Sequence, residues 1–589
     1  MHNEDRVREP AVIRLTDYGA RPDSGEDAAP AMRRALEAAA RTGGPVVLAC
    51  AEGRYDFYPG QAAKAPYYIS NTASEAENPD VTKTIGIYMK GLRDVTLDGG
   101  GALFIFHGKQ TMFVIDECES VRIHNLHADY ERPTVTEMTV ERTGGRFMDV
   151  RVHPDSSYEI EDGRLFWIGD GWRFRDGPMQ EYDPVTRTTW RIDNVAAEAE
   201  RVEEIGPGRL RFHLASAPEQ APGRVLQMRD GIRDQVGVFI TRSRNVGWTD
   251  AGMHFMHGLG IVCQYSEHLA FERMELAPRP ETGRTVAAFA DFLHVSGCRG
   301  RLRVTESRFF GSHDDAINVH GTHLRIVDVP SPNRIRVRFM HSQTYGFDAF
   351  DPGDEIEFVR CESLTPYGTG VVASAKRLNP REQLLTLESA VPVGIVPGDA
   401  VENVTWTPEV EIAGNEFAGV PTRGILTTTR RKVVIEGNRF VRLPMSAVLI
   451  ADDAGSWFES GRTEEVRIRD NAFIECGDGG HPVILIRPEN RDVRADNPVH
   501  GEVRIENNRF EMCDTTILEA KSTRALTFSG NRISMPDTGK SSVIRHDAIR
   551  LTACGEASIA GNAFHGDGLN KTLRLFHMPP DAVSNGTEL

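Results

Sequence analysis

The sequence predicts an all-β protein, a right-handed parallel β-helix with two small β-domains inserted into it. The first observation is a phrase that recurs in the C-terminal part of the chain. Its copies are VEIAGNEF (410–417), VVIEGNRF (433–440), VRIRDNAF (466–473), VRIENNRF (503–510) and LTFSGNRI (526–533). Apolar and polar residues alternate at the start of each copy, which indicates a strand with one buried face.

The third-from-last residue of every phrase is an asparagine, at positions 415, 438, 471, 508 and 531, so the steps are 23, 33, 37 and 23 residues. Asparagine adopts left-handed and turn conformations, so we expect it to end each strand. A single strand and turn cannot bury its apolar face, whereas stacked copies can, and such stacking makes a solenoid. The alternative is a sandwich of hairpins, which has turn signals about every 8 to 12 residues.

The same pattern begins near the N-terminus, after one predicted helix. Strand-like phrases are LRDVTLDGGG (92–101), ESVRIHNLH (119–127) and SRNVGWTDAGM (243–253). The helix is DAAPAMRRALEAAARTGG (27–44), with Asp27 near its start and Gly43-Gly44 as its stop. An amphipathic helix at this place can cap the open end of a β-helix.

Two stretches interrupt the coils and give the second observation. Residues 134–235 and 322–403 hold longer strand-like runs with turn signals such as GPGRLRF (206–212) and DPGDEIEFV (351–359). We therefore expect an N-terminal part of the β-helix with its helix at 12–133, central coils at 236–321 and C-terminal coils at 404–580.

Composition excludes several classes of partner. The 589 residues include 68 basic and 85 acidic ones, a formal charge of −17, which repels phosphate backbones and anionic lipid. No apolar run approaches the roughly 20 residues that span a bilayer. The eight cysteines include no CxxC pair, so we expect mostly buried thiols. Residues 1–5, MHNED, lack the basic and apolar stretches of a secretory signal, which favours the cytoplasm, with secretion left open.

Three aspartates are the candidate catalytic residues. Asp314 and Asp315 are adjacent in GSHDDAINVHG (311–321), just after Gly311-Ser312, where a turn or bulge would direct both into one cleft. Asp291 lies 23 residues before Asp314, one predicted coil away, and neighbouring coils are about 4.8 Å apart. Such a cluster suits inverting glycoside hydrolysis, in which one carboxyl donates a proton and another activates water.

Two other interpretations of this cluster stay open. An Asp-Asp pair in a turn can serve only to solvate the turn and cap backbone amides. Because His294, His313 and His320 lie nearby in the sequence, the same residues can also form a metal site.

A second acidic pair, Asp452-Asp453, occurs in LIADDAGSWFESG (449–461) together with Trp457 and Glu459. An aromatic face packs well on the apolar face of a sugar, so this segment is a candidate binding loop. The alternative is a surface loop whose tryptophan packs beneath an insertion.

Several stretches together resemble the α-1,3-galactosidases of glycoside hydrolase family 110 over almost the whole chain. They are RLTDYGARPD (14–23), YYISNT (67–72), SHDDAINVHG (312–321), HSQTYGFDAF (341–350), TRGILTTTRR (422–431) and IADDAGSWFESG (450–461). The resemblance implies that the two insertions are β-barrels and that no metal or other cofactor is required. It also implies inverting, exo-acting removal of terminal α-1,3-linked galactose, as in the blood group B determinant.

The resemblance also implies roles for individual residues. Asp314 would be the general acid, and Asp291 and Asp315 would place and activate the water. This trio looks like that of the polygalacturonases, but the chain lacks their Arg-Ile-Lys motif for a uronic carboxylate, so a polyuronide substrate is disfavoured. The substrate-binding candidates are His313, His320, Asp452, Asp453 and Trp457.

Other functions also stay open at this point. Within enzymes, the alternatives are a pectin-lyase-like polysaccharide lyase and a hydrolase of another galactoside. Outside enzymes, the alternative is a carbohydrate-binding β-helix without catalysis. A galactose-terminated oligosaccharide or glycoconjugate is the expected partner, a homodimer stays an open expectation, and the choice between branched and linear substrates is undecided.

Overall fold

The computed structural model describes residues 9–535, 544–566 and 568–586. The segment on which the absence of a secretory signal was predicted, residues 1–5, lies outside them, as do 536–543 and 567 of the predicted C-terminal coils. The chain forms two compact units: one comprises residues up to Tyr67, Val81–Glu181 and Ile192–Phe289, and the other comprises Tyr68–Asp80, Tyr182–Arg191 and the chain from Ala290. No helix in the described ranges is long and apolar enough to cross a membrane.

The first unit contains coils of parallel strands. One sheet holds Ala11–Arg14, Val46–Ala49, Arg93–Phe106, Glu119–Tyr130, Arg244–Thr249 and Glu267–Glu272. A second holds Thr82–Lys90, Thr111–Asp116, Val238–Thr241 and Ile261–Gln264, with Ala63–Pro66 antiparallel at its edge. The short strands Arg54–Phe57, Gly252–Met253 and Glu275–Leu276 continue the long strands around the coil. Apolar residues stack on apolar residues inside, as in Val46, Val95 and Val121.

The predicted helix spans Ala29–Arg41 and is amphipathic, and its buried face consists of Ala29, Ala31, Met32, Ala35, Leu36 and Ala39. The carboxylate of Asp27 accepts a hydrogen bond from the Ala29 N–H (3.0 Å), and Gly43 follows the helix in a left-handed conformation. The helix packs against the first strand, Ala11–Arg14, and its neighbour Val46–Ala49. Short 3₁₀ turns occur at Leu15–Tyr18, Pro280–Thr282 and Pro580–Ala582.

The interruption in the first unit contains an antiparallel β-structure. Neighbouring strands are Val225–Met228, Thr136–Gly144, Phe147–Val152, Arg209–His213 and Arg201–Gly206, and a separate sheet holds Ser157–Glu161, Arg164–Gly169 and Trp172–Phe174. The chain also forms the strands Met179–Asp183 and Thr188–Ile192, whose residues 182–191 belong to the second unit, and the short helix Val195–Glu198. Trp167, Phe212 and Met148 lie in its buried core.

The second unit contains a longer stack of coils, each with three strands. The first face holds Leu293–Ser296, Ile317–Ser331, Ile425–Thr427, Val448–Ile450, Ile484–Ile486, Leu518–Lys521, Ile549–Thr552 and Leu573–Phe576. The second holds Arg299–Thr305, Pro408–Ala413, Val433–Glu436, Glu465–Arg469, His500–Glu506, Thr523–Ser529, Glu556–Ala560 and Val583–Asn585. The third holds Arg308–Phe310, Glu416–Ala418, Arg439–Val441, Ala472–Ile474, Arg509–Glu511, Arg532–Ser534 and Ala563–His565. The predicted parallel β-helix is confirmed.

The recurring asparagines form a buried ladder between the second and third faces. The side-chain oxygen of Asn438 accepts from the backbone N–H (2.9 Å) and the side-chain amide (3.0 Å) of Asn415, and Asn471 does the same for Asn438. The pattern continues through Asn508 and Asn531 to Asn562, a sixth member that the sequence analysis did not include. Each rung satisfies backbone groups that the corner of the coil leaves open.

The expected left-handed conformation belongs to the residue before each ladder asparagine. These residues are Gly414, Gly437, Asp470, Asn507 and Gly530, with φ between 56° and 69°. The prediction that the asparagines themselves adopt this conformation is wrong, because their side chains must point along the stack to reach the next coil.

The phenylalanine that ends most phrases forms a second stack. The rings of Phe309, Phe417, Phe440, Phe473 and Phe510 lie one above the other. Their centroids are 4.8–5.0 Å apart, the spacing of neighbouring parallel strands. The repeat of the sequence is therefore a repeat of stacked side chains.

A closed antiparallel barrel interrupts the second unit. Its strands, in order around the barrel, are the later part of Ile317–Ser331, then Arg334–Arg338, Glu382–Leu387, Thr365–Arg377, Glu355–Arg360 and Ala400–Asn403, which pairs again with the first. Because Ile317–Ser331 begins in the β-helix and ends in the barrel, a single strand joins the two. Inside the barrel, Ile326, Ile335 and Phe358 from three different strands are fully buried.

All eight cysteines are free thiols, and six of them are buried, as the sequence predicts. Cys361 and Cys513 are half-buried.

Candidate active site

The aspartates lie where neighbouring strands of the second unit begin. Asp291 stands two residues before the strand that starts at Leu293, and Asp315 stands two residues before the one that starts at Ile317. Leu293 pairs with Ile317, a step of 24 residues, so Asp291 is level with Asp315. The 23-residue count pointed to Asp314 instead, because that residue lies one position earlier in the bend after Gly311.

Asp315 is buried and tied to Arg423 on the next coil. The backbone N–H of Arg423 donates to Oδ1 (3.0 Å), while its Nε and Nη2 donate to Oδ2 (3.1 and 2.6 Å). Burial raises the pKa of the Asp315 carboxyl, and the charge of Arg423 opposes this by favouring the ionised form. The side chain of Asp315 is only 3% exposed, so this pair is a buried ion pair.

Arg423 also interacts electrostatically with the other two aspartates of the cluster. Burial alone would lower the pKa of its guanidinium, but the charges of Asp315, Asp314 and Asp291 together raise it above its ordinary value. The half-buried guanidinium of Arg423 therefore offsets part of the repulsion among the three carboxylates.

Asp314 is the accessible member of the cluster. Its side chain is 23% exposed, and its Oδ1 lies 3.0 Å from Nη2 of Arg191. Its carbonyl accepts a hydrogen bond from the Ser312 hydroxyl (2.6 Å), which fixes the bend. His313, a predicted binding residue, is buried in the same bend.

Asp291 is linked to two histidines, His294 and His320, whose rings pack edge-to-face with their centres 4.8 Å apart. Nδ1 of His320 lies 2.6 Å from the carbonyl oxygen of Gly321, so this nitrogen must carry a proton. Nε2 of His320 lies 2.9 Å from Nε2 of His294, whose Nδ1 lies 3.0 Å from Oδ2 of Asp291. The Nε2–Nε2 contact and the contact of His294 with Oδ2 therefore connect both rings to the Asp291 carboxyl.

Glu459 approaches the same nitrogen of His320 that faces His294, with its Oε1 3.6 Å from Nε2. The same oxygen accepts a hydrogen bond from the side-chain amide of Asn71 (2.7 Å), and Asn71 is held by the hydroxyl of Thr344 (2.7 Å). The amide of Asn318 also points at Glu459 (3.4 Å). This pocket therefore unites YYISNT, HSQTYGF, DDAINVHG and FESG, four segments that are far apart in the sequence.

Asn318 supplies a candidate ligand contact beside Glu459. It lies on the same face of the coil as His320, because alternate residues of a strand point to the same side. Its side chain is buried, and within the described ranges its Oδ1 has no hydrogen-bond partner. Buried acceptors normally have a partner, so this oxygen is suited to a hydroxyl group of a ligand.

Asp453 organises the loop that carries Trp457 and Glu459. Its carboxylate accepts from the backbone N–H groups of Gly455, Ser456 and Phe458 (2.6–2.8 Å) and of Trp457, and from the Ser456 hydroxyl (2.8 Å). Burial acts to raise the pKa of this carboxyl, but these donors lower it below its ordinary value. The Asp453 carboxylate is thus directed into its own loop.

The other two predicted residues of this loop differ from each other in exposure. Trp457 is 43% exposed, and its ring lies 4.2 Å from that of His341. Asp452 is fully buried beside His323 and Glu402, and burial raises the pKa of its carboxyl to about 7. Of the second acidic pair, neither carboxylate faces solvent.

The Asp and His residues also bear on the metal interpretation. In the described part of the chain, no group of three or more His, Cys, Asp or Glu side chains has an arrangement that could hold a metal ion.

Several residues of the site were not singled out by sequence reasoning. They are Arg423, Arg191, Asn318 and Asn71. Arg423 stands in TRGILTTTRR and Asn71 in YYISNT, so these stretches of the resemblance marked them without giving them a role.

Comparison with known proteins places both insertions and the whole chain. A family model described as GLAA-B beta-barrel domain I matches residues 136–226, and one described as GLAA-B beta-barrel domain II matches residues 334–401. The chain is 42% identical over 545 residues to alpha-1,3-galactosidase A of Bacteroides thetaiotaomicron, covering 92% of this chain and 95% of that protein.

Two more relatives agree with this result. Identity to alpha-1,3-galactosidase A of Bacteroides fragilis strain YCH46 is 40% over 572 residues, covering 96% of this chain and 94% of that protein. Identity to alpha-1,3-galactosidase B of B. thetaiotaomicron is 32% over 587 residues, covering 97% and 94%. The resemblance predicted from the sequence is confirmed, and this chain belongs to the alpha-1,3-galactosidase family of glycoside hydrolases.

Proposed function

We propose that the protein is an inverting exo-α-1,3-galactosidase that removes terminal α-1,3-linked galactose from oligosaccharides or glycoconjugates such as the blood group B antigen. The observation that carries the proposal is the placement of Asp291 and Asp315 at the start of neighbouring paired strands, with Asp314 beside Asp315 and Arg423 bonded to Asp315. The activity itself follows the names of the relatives, which cover nearly the whole chain.

The roles of the three aspartates follow from their surroundings. Asp314 is the general acid, because it is the member of the cluster that a glycosidic oxygen can reach from solvent. Asp315 and Asp291 place and activate the water. Arg423 favours the ionised form of Asp315, and Asp291 lies within hydrogen-bond distance of Nδ1 of His294, which orients its carboxyl. In an inverting enzyme about 6.5–9.5 Å separates the acid from the base, which leaves room for this water.

The galactose contacts are assigned to the pocket next to the aspartates. Glu459 accepts hydrogen bonds from sugar hydroxyls, and the free acceptor of Asn318 takes another, since no described residue satisfies it. The exposed face of Trp457 packs on the apolar face of a sugar. Asp453 and His320 hold these groups in place rather than contacting the sugar.

The domain boundaries are part of the proposal. We assign residues 12–133, 236–321 and 404–580 to the β-helix and 134–235 and 322–403 to the two barrels.

A leaving-group series tests the acid. The substitution Asp314→Asn removes the proton donor, so hydrolysis of an α-1,3-galactosyl disaccharide should fall by about 10²- to 10⁴-fold. An aryl galactoside with dinitrophenolate as leaving group needs no proton and should lose far less. Equal losses on both substrates would show that Asp314 is not the acid.

Azide distinguishes the water-activating residues. Of Asp291→Asn and Asp315→Asn, the variant that lacks the base can no longer deprotonate water. Its hydrolysis rates for the disaccharide and for the aryl galactoside should therefore fall equally. Azide needs no base, so it should restore turnover of the aryl galactoside and give the β-galactosyl azide. The variant that azide rescues identifies the base. Binding of the disaccharide by wild-type protein without release of galactose would instead favour a non-catalytic carbohydrate-binding protein.

A further inference from the structure

The second unit includes a short segment, residues 182–191, that reaches the aspartate cluster. The ring of Tyr182 packs edge-on against Phe310 (5.9 Å), and the guanidinium of Arg187 lies 4.8 Å from the centre of the same ring. The carbonyl of Thr186 accepts a hydrogen bond from Arg442 (3.2 Å). Since Phe310 directly precedes the bend that carries Asp314, these contacts fix the segment beside the proposed acid.

Arg191, the last residue of this segment, occupies the carboxylate of Asp314. Nη2 of Arg191 lies 3.0 Å from Oδ1, and the two side chains are 56% and 23% exposed. By comparison, the side chains of Arg423 and Asp315 are 26% and 3% exposed. An exposed ion pair contributes little free energy, typically about 0–1 kcal/mol, so an arriving ligand can break it at small cost.

This contact conflicts with the chemistry that the proposed function gives to Asp314. A general acid must carry a proton before it can donate one. A guanidinium at hydrogen-bond distance favours the carboxylate instead. Asp314 is therefore a poorer proton donor while Arg191 is bound to it.

We propose that Arg191 is a positioning residue that keeps Asp314 ionised in the free enzyme and leaves it when the leaving-group side of the substrate binds. The inference rests on the proposed role of Asp314 as the acid. As Arg191 departs, the Asp314 carboxylate takes one proton from solvent, and this proton is the one later given to the glycosidic oxygen. The enzyme–substrate complex thus holds one more proton than the free enzyme.

Other charged groups face Asp314 as well. Arg423 and Asp315 face it from the next coil and from its own bend, and they are bonded to each other. Asp291 is buried and lies against His294. Arg191 is an exposed cation bonded directly to Asp314, so its replacement removes this contact and leaves the Arg423–Asp315 pair in place.

The first test compares pH profiles for Arg191→Ala and Arg187→Ala. The control removes a cation of the same segment that contacts Phe310 rather than Asp314. In Arg191→Ala, the alkaline limb of kcat/KM should move to higher pH by about one unit, because the free enzyme then keeps its proton more readily. The alkaline limb of kcat should stay, since substrate has already displaced Arg191. Arg187→Ala should keep the wild-type limbs, because the Tyr182 ring against Phe310 and the Thr186 carbonyl bonded to Arg442 still hold the segment. Arg191→Lys keeps the cation and should also keep the wild-type limbs.

The second test measures proton uptake by calorimetry in buffers of different ionisation enthalpy. A non-hydrolysable thio-linked α-1,3-galactosyl disaccharide serves as the ligand. Near the alkaline limb, wild type should take up a net fraction of a proton on binding, and Arg191→Ala should take up much less. An unmoved kcat/KM limb, equal proton uptake, or loss of activity at every pH in Arg191→Ala would overturn the inference. Failure of the proposed function would appear separately, as wild-type turnover in Asp314→Asn.

Discussion

Arg423 and Asp315 form a buried ion pair between neighbouring coils, with Nη2 2.6 Å and Nε 3.1 Å from the same carboxylate oxygen. The backbone N–H of Arg423 binds the other oxygen (3.0 Å), so both oxygens of the carboxylate are held. The pair fixes the orientation of Asp315 and neutralises part of the charge of the cluster.

Replacing Arg423 should disable the site. In Arg423→Ala, Asp315 stays buried without a cation, which typically costs about 3–5 kcal/mol of folding free energy. We expect kcat/KM to fall by about 10²-fold or more, because Asp315 then takes up a proton and loses its orientation. Arg423→Lys keeps the charge but not the two-pronged contact and should give an intermediate loss, measured by initial rates and thermal unfolding.

Arg430→Ala is the matched control for this variant. Arg430 is also buried, and it pairs with Glu357 (3.0 Å) rather than with an aspartate of the site. The Arg430→Ala variant should lose about as much folding free energy as Arg423→Ala. At a temperature where it is folded, its turnover should equal that of the wild type. Similar losses of activity in both variants would mean that Arg423 acts only through stability.

The asparagine ladder should contribute most to stability in its middle. Asn471→Ala removes an acceptor used by two N–H donors of Asn438 and a donor to the Ile435 carbonyl (2.9 Å). Each buried group left unsatisfied costs about 1–3 kcal/mol, so we expect a loss of about 2–5 kcal/mol in urea unfolding.

Asn562→Ala serves as the comparison, since Asn562 is the last rung among the residues that the structure describes and is partly exposed. Its loss should be clearly smaller than that of Asn471→Ala. Equal losses at the two positions would show that the ladder does not stabilise the fold by burying backbone partners.

Asp453 should affect binding through its loop. Asp453→Ala removes the acceptor for four backbone N–H groups, which frees Trp457 and Glu459 from their positions. We expect KM for the disaccharide to rise at least tenfold, together with a lower kcat, while Asp453→Asn, which keeps one acceptor oxygen, should be milder. If Asp453 instead contacts the sugar, the Asn and Ala variants should lose binding with the Trp457 environment unchanged, as judged by tryptophan fluorescence.

Asp452 should make the protein less stable as the pH rises. Burial raises the pKa of its carboxyl to about 7, against about 3.9 in the unfolded chain, so the folded state binds the proton more tightly. Stability is therefore lost between about pH 4 and pH 7, by about 4 kcal/mol if this group acted alone.

The variant Asp452→Asn tests this assignment. It keeps the size of the side chain and cannot ionise, so its stability relative to wild type should increase from pH 4.5 to pH 8 in urea titrations. A constant difference over this range would show that Asp452 does not titrate with a raised pKa.

Local patterns were sufficient to predict the coils and the aspartates. Asp291 and Asp315 are joined by one uninterrupted coil, so counting residues brought them together, with an error of one. The strand alternation and the asparagine spacing likewise describe neighbours in the stack. The phrase ASIAGNAF (557–564) carries the same signal for Asn562. Asn562 lies 31 residues after Asn531, however, which differs from the basic step of 23 residues.

The partners of these residues could not be found in the same way. Arg423 is one coil from Asp315 in space but 108 residues away in sequence, because a barrel is inserted between them. Arg191 reaches Asp314 across 123 residues, and Asn71 reaches Glu459 across 388. Such contacts depend on how loops fold back on the coils, which a repeat does not encode.

The anomeric form of the first product tests the central claim most directly. Proton NMR from the earliest minutes should follow the anomeric signals of branched and linear α-1,3-galactosyl oligosaccharides incubated with the enzyme in parallel. Inversion by Asp314 with Asp291 and Asp315 predicts β-galactose before mutarotation, and the two rates would show whether the branch matters. Early appearance of α-galactose would contradict the roles given to the three aspartates.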